Sequence, residues 1–184
     1  LFYNQISLNK DFILSEIKFE KERLFKNNFN IIKSVKNIPF TKNFILSGMN
    51  LAFLGYYSMG KLFPFKDLYH WPDGIFVKKF INIDKIPGRE IINKLKIPKD
   101  IKKILVIGSL SKISKKFIEK KFKLLTKNIE LPYASIEEIS KIKIKLDKKT
   151  LALITLPTPK QEQYAYALAK NNINYKIICI GASI

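Results

Sequence analysis

Lys103-Ile104-Leu105-Val106-Ile107-Gly108-Ser109-Leu110-Ser111 is the stretch that decides the fold. Ile104 to Ile107 are apolar at every position, with no polar residue alternating. A strand of that kind is covered on both faces, as strands in parallel sheets are. Gly108 then punctuates, and the periodic residues after Ser111 predict a helix with Ile113, Phe117, Ile118 and Leu124 or Leu125 on one face. The pattern repeats. Leu151-Ala152-Leu153-Ile154-Thr155-Leu156 runs into Pro157-Thr158-Pro159 and a helix from about Lys160 to Lys170, and Tyr175-Lys176-Ile177-Ile178-Cys179-Ile180 ends at Gly181. Upstream, Phe44-Ile45-Leu46 reads as a short buried strand, followed by a helix from about Leu51 to Leu62. Uniformly apolar strands separated by helices predict an α/β, Rossmann-like three-layer sandwich with a mainly parallel sheet. That domain is expected over residues 43–184, with a helical or irregular segment over 1–42. Trp71-Pro72-Asp73-Gly74 reads as a turn, and a helix opens at Gly88 and carries Ile91, Ile92 and Leu95 before Pro98.

Composition narrows the function classes. The chain has 184 residues, 47% of them hydrophobic, enough to build a core and to exclude disorder as its main state. Cys179 is the single cysteine, so no internal disulfide framework exists, which suits a reducing, cytoplasmic setting. Lys and Arg number 34 against 15 Asp and Glu, a formal charge of +19, yet Arg23 and Arg89 are the only arginines. Lysines scattered among Ile and Asn fit an AT-rich coding bias and a solvated face. The lesser reading is attraction for an anionic membrane surface or phosphate-bearing substrates, and no arginine-rich block points to nucleic acid. The uncharged stretch Asn43 to Gly60 is too polar for a membrane span. The start at Leu1 shows no signal-peptide pattern, and the stop just after an apolar run at Ile184 suggests a fragment at both ends.

In parallel α/β sheets ligands sit beyond the carboxyl ends of the strands. That rule selects Ser47 to Asn50, Gly108 to Ser111, Leu156 to Glu162, and Gly181 onward. Gly108 and Ser109 open a helix whose free N–H groups could hold a diphosphate, though neither a P-loop nor a GxGxxG fingerprint is present. Gln161 and Glu162 project at a helix start, where an acidic residue also simply complements the dipole. Asp73 is either an Asx-type turn former or a rigidly held carboxylate able to take a proton from a sugar hydroxyl. His70, the single histidine, and Trp71 read as packing residues, and Cys179 as a buried, inert thiol.

Taken in order, Ser47-Gly48-Met49-Asn50, Asp73-Gly74-Ile75, Lys85-Ile86-Pro87-Gly88-Arg89-Glu90, Val106-Ile107-Gly108 and Thr158-Pro159-Lys160-Gln161-Glu162 resemble the motifs of the WecG/TagA/CpsF family of bacterial glycosyltransferases. The resemblance spans about residues 43–184, and its most specific piece is Pro159-Lys160-Gln161-Glu162. It implies an inverting transferase that moves an N-acetylmannosamine-type sugar, or its uronic acid, from UDP to a polyprenyl-diphosphate-linked acceptor at the cytoplasmic membrane face. It implies Asp73 as the general base, Ser47, Asn50 and Gly74 lining the acceptor or sugar pocket, Gln161 and Glu162 on the donor side, and Gly108, Ser109 and Tyr133 near the nucleotide. Lys85 stands where the family has an Arg, so a bidentate phosphate contact becomes a point charge. Ser47 departs from the usual Thr, and the family's C-terminal appendage would lie beyond Ile184. No DxD motif is present, so neither metal nor other cofactor is expected. The rival class is a nonenzymatic, lysine-rich α/β module that binds nucleic acid or a sugar nucleotide.

Overall fold

The apolar runs do pair as parallel strands. A computed structural model describes residues 29–63, 65–74 and 83–181. The strands are β1 (Asn30–Ile31), β2 (Phe44–Met49), β3 (Leu68–Pro72), β4 (Lys103–Ile107), β5 (Leu125–Ile129), β6 (Thr150–Ile154) and β7 (Lys176–Cys179). They form one seven-stranded sheet in the order β1-β3-β2-β7-β6-β4-β5, with every pairing parallel. The helices are α1 (Leu51–Ser58), α2 (Gly88–Lys94), α3 (Lys112–Phe122), α4 (Ile136–Ile139) and α5 (Lys160–Lys170). The fold is therefore the expected α/β, Rossmann-like sandwich.

Strand alternation sorts the side chains into two buried layers. Leu46 of β2, Trp71 of β3 and Val106 of β4 pack with Ile91 and Ile92 of α2 and Ile118 of α3. On the other side Ile45, Leu105 and Ile154 pack with Ile139 of α4 and with Tyr164, Ala165 and Leu168 of α5. α1 joins this second side through Phe53 and Leu54, which pack on Met49 and meet Tyr166 of α5. Several helices begin with the caps their sequences offer. Asn50, Ser111 and Ser135 accept from the backbone N–H of Phe53, Ser114 and Glu138, and Ser135 with Glu138 completes a capping box.

Several readings need correction. Ile113 and Phe117 do not share the packed face of α3: they are 82% and 42% exposed, whereas Ile118 is fully buried. The buried stripe of α3 is centred on Ile118, which these two only flank. Trp71-Pro72 is the end of β3 rather than a turn, because a proline at a strand's last residue removes no interior ladder bond. Leu125 begins β5, an edge strand whose Leu-Thr-Lys-Asn-Ile alternates in burial and so lacks the uniform apolar signature. Within the segment 1–42, residues 1–28 lie outside the described residues, and 29–42 supply β1 and a single 3-10 turn at Val35–Asn37. The resemblance's apolar helix after Gly74, including Ile75, also lies outside them.

Candidate functional site

All strand carboxyl ends meet at one edge of the sheet, and in two places the helices that follow neighbouring strands lie on opposite faces, where such sheets usually carry a crevice. β2 sends its chain to α1 on one face, while its neighbour β3 leads to α2 on the other. β6 leads to α5 and its neighbour β4 to α3, again on opposite faces. Adjacent strands whose connections diverge leave a crevice between them, the usual ligand position in such sheets. Asn50 and Asp73 stand at the first crevice, Gly108 and Thr155 at the second.

Asp73 follows β3 directly, and its N–H donates to the Met49 carbonyl at 3.0 Å. Gly48 allows this closeness. A Cβ there would sit 3.0 Å from the Trp71 ring and 3.3 Å from Asp73 Oδ2, so a larger residue would push the indole and the carboxylate outward from β2. Asp73 is half-buried, and burial pushes its carboxyl above the ordinary range. Hydrogen bonds from the Asn50 side chain and from the backbone at Gly74 and Gly88 oppose that rise. Asn50 thus does two things: its Oδ1 accepts from Phe53 N–H at 2.9 Å as the α1 cap, and its side chain holds Asp73. Gly74 has φ +82°, a conformation that turns the chain sharply away after the carboxylate. Lys85 is exposed beside Ile86, whose N–H donates to the Pro72 carbonyl at 2.7 Å.

One strand over, the arrangement is closed. Glu162 is fully buried at the start of α5. Its Oε1 accepts from Ser47 Oγ at 2.7 Å, Gln161 Nε2 at 2.8 Å and Thr158 Oγ1 at 3.3 Å. Gln161 Nε2 also donates to Thr158 Oγ1 at 3.0 Å, and Gln161 Oε1 accepts from Gly181 N–H at 3.0 Å. Ser47 is entirely buried as well. Burial pushes the Glu162 carboxyl up against the opposing hydrogen bonds, and its second oxygen, Oε2, is buried with no hydrogen-bond partner. Ser47, Gln161 and Glu162 were expected to touch substrate. They form a buried, mutually bonded group at this edge, with Ser47's strand parity pointing it at α5.

At the second crevice Gly108 has φ +113°, and a Cβ would fall 2.5 Å from Thr155 Oγ1. Thr155 Oγ1 donates to the Ser109 carbonyl at 2.9 Å, which tightens the turn, and Ser109 itself is exposed. Tyr133 is fully exposed, with Lys160 Nζ 5.7 Å above its ring. His70 is a packing residue as expected: its ring lies 4.5 Å from that of Phe53, and burial pushes its pKa down to about 3. Cys179 is buried and its thiol pushed up by burial. Sequence reasoning missed the Asn50–Asp73 link and the part played by Thr158. A glycine inside the buried run Phe44 to Met49 was the available signal, since such a glycine marks a close approach.

Asn50, Asp73, Gly108 and Gln161 therefore share the carboxyl edge of the sheet, but Gln161's side chain is turned into the interior group. Among the described residues no group of three or more His, Cys, Asp or Glu could hold a metal ion, and no helix is long and apolar enough to cross a membrane. No family model matches the chain, and no curated protein or solved structure matches it either.

Proposed function

We propose that this protein is an inverting glycosyltransferase that moves an N-acetylhexosamine-type sugar from UDP to a hydroxyl of a polyprenyl-diphosphate-linked acceptor. The observation that carries the reading is Asp73: a half-buried carboxylate, held by Asn50, at a crevice where neighbouring connections diverge. As the acceptor oxygen attacks the anomeric carbon, Asp73 takes the hydroxyl proton, the bond from that carbon to the UDP phosphate breaks, and UDP leaves with the electron pair. Attack from the side opposite UDP inverts the configuration. On this reading the donor extends along the carboxyl edge, with its nucleoside end toward the Gly108-Ser109 turn, where Ser109 is exposed and α3 begins after Ser111. Lys85, exposed one residue before the Ile86 that bonds the Pro72 carbonyl, offers a point charge to a phosphate. Ser47, Gln161 and Glu162 support the floor between the two crevices rather than touching the sugar. The acceptor's lipid would hold the protein at a membrane surface on the cytoplasmic side.

The rival reading is a lysine-rich binding module without catalysis. Titrating the chain with UDP and with duplex DNA across a salt series separates the two. Binding to phosphate-backbone charge collapses steeply with salt through counterion release, whereas a shaped UDP site keeps most of its affinity. UDP binding that survives salt, with transfer from a UDP-sugar to a lipid-diphosphate acceptor, is the expected result. Tight DNA binding with no UDP binding would overturn the proposal.

A further inference from the structure

We infer that the α2–α3 face of the sheet is a docking surface for an anionic lipid bilayer, with α3 as the element that meets the headgroups. α3 carries Lys112, Lys115, Lys116, Lys120 and Lys121 against one acid, Glu119. Ile113 and Phe117 stand exposed one turn apart on its outer flank, and Lys116 and Lys120 lie beside them at helical spacing. Single exposed apolar residues are ordinary. An apolar pair bordered by unpaired lysines is the composition of a helix that lies in a membrane interface, apolar groups dipping in and cations held at the headgroups. Lys115 approaches Glu119 at 3.9 Å and Lys121 donates to the Asn93 carbonyl at 2.7 Å. Among the described residues no salt bridge engages Lys112, Lys116 or Lys120.

The same face carries a second feature with the same chemistry. A groove of about 770 Å³ runs between the β1–β2 connection and α2. Val35, Ile38 and Leu95 line its apolar part, and Lys33, Lys85 and Lys96 stand around them with the acids Asp84 and Glu90, so lysines predominate at the rim. A phosphate-bearing headgroup fits such a rim, with apolar surface beneath for the start of its chain. Asp73 lies on this same side of the sheet with Trp71. Duplex nucleic acid would use the lysines but has no use for an exposed Ile113. The inference borrows from the glycosyltransferase reading only the lipid-borne acceptor, and its test contains no sugar, so either can fail alone.

The test is co-sedimentation with vesicles of phosphatidylglycerol and phosphatidylcholine, against pure phosphatidylcholine, at fixed salt. Lysines cover the whole molecule, so the decisive comparison holds charge constant. Lys112, Lys116 and Lys120→Glu is set against Lys141, Lys143 and Lys145→Glu, three equally exposed lysines flanking Ile144 on the α4–α5 face. The α3 triple should lower partitioning on anionic vesicles by on the order of 100-fold or more, since each interfacial lysine is worth roughly a factor of five. The control triple should lower it only a few-fold. Ile113→Ser with Phe117→Ser should weaken binding by about tenfold with charge unchanged. The corresponding glutamine triples, gentler on the fold, should keep the same order. Equal losses from the two triples, no effect of the serine pair, or duplex DNA bound more tightly than vesicles through the same lysines would each overturn the inference.

Discussion

Two carboxyl groups approach the end of β2 from opposite sides, and they differ in what surrounds them. Asp73 reaches over Gly48 on the α2–α3 side, half-buried, with Asn50 and two backbone positions bonded to it. Glu162 comes from α5 on the other side, fully buried, with Ser47, Gln161 and Thr158 all directed at one oxygen. Burial raises both groups above their ordinary range. Access separates them. A carboxylate whose donors are all protein atoms and which no solvent reaches cannot exchange a partner for a substrate hydroxyl, whereas a half-exposed one beside a crevice can. Burial thus perturbs two carboxyls at this edge that differ in access: Asp73 is half-exposed at the strand ends, and Glu162 is enclosed among protein donors.

The largest expected effect is at Asp73. Asp73→Asn keeps the turn and most of its hydrogen bonds but cannot accept the acceptor's proton, so turnover in a transfer assay should fall about 10²- to 10⁴-fold. UDP affinity should barely move, because the base acts on the acceptor. Thermal stability should stay within about 1 kcal/mol, as for a change that creates no cavity. The wild-type rate should also show an acid limb above the 3.8 of an ordinary aspartate, since burial raises this carboxyl. Near-normal turnover in the folded variant would remove Asp73 from the reaction and erase the contrast.

Glu162→Ala should give the opposite pattern. It strips the acceptor from Ser47 Oγ and Gln161 Nε2 in the interior and leaves a void, a combination that costs roughly 2–4 kcal/mol. Denaturant unfolding measures this directly. Loss of turnover in Glu162→Ala under conditions where it is fully folded, with stability unchanged, would show that the two carboxyls are not divided as argued.

Much of this division was hidden in the sequence for identifiable reasons. The uniformly apolar runs Ile104 to Ile107, Leu151 to Ile154 and Ile177 to Ile180 announce a parallel sheet because burial on both faces leaves no room for polar residues. β3 hides because Tyr69, His70 and Pro72 break its apolar character. β5 hides because an edge strand needs only one covered face. Gln161 and Glu162 are visible as a helix start, but their burial depends on Ser47, 115 residues away from Glu162, and no local rule reaches that far. Asp73 is visible as a Pro-Asp-Gly aspartate. What sets it apart from an ordinary turn aspartate is its place over Gly48 with the Asn50 side chain bonded to it, which only the paired strands bring about.

The smallest expected effect is the most specific to Glu162, and it is read from pH. The folded Glu162 carboxyl titrates above the 4.5 of an ordinary glutamate, and burial is the cause. The native state therefore holds that proton more tightly than the unfolded chain does. The group's contribution to stability is fully present below pH 4.5 and is lost as pH rises through the folded pKa, after which it stays constant. Glu162→Gln keeps the volume and removes the titration. The stability of the wild type minus that of Glu162→Gln should accordingly fall with rising pH from about 4.5, with a slope of at most about 1.4 kcal/mol per pH unit for one proton. Every other titrating group is common to the two proteins and drops out of the difference. A difference that rises with pH would mean that the bonds from Ser47, Gln161 and Thr158 outweigh burial and hold Glu162 as a stabilised anion, and the carboxyl would then have to be regarded as a charged element of the site rather than its buried support.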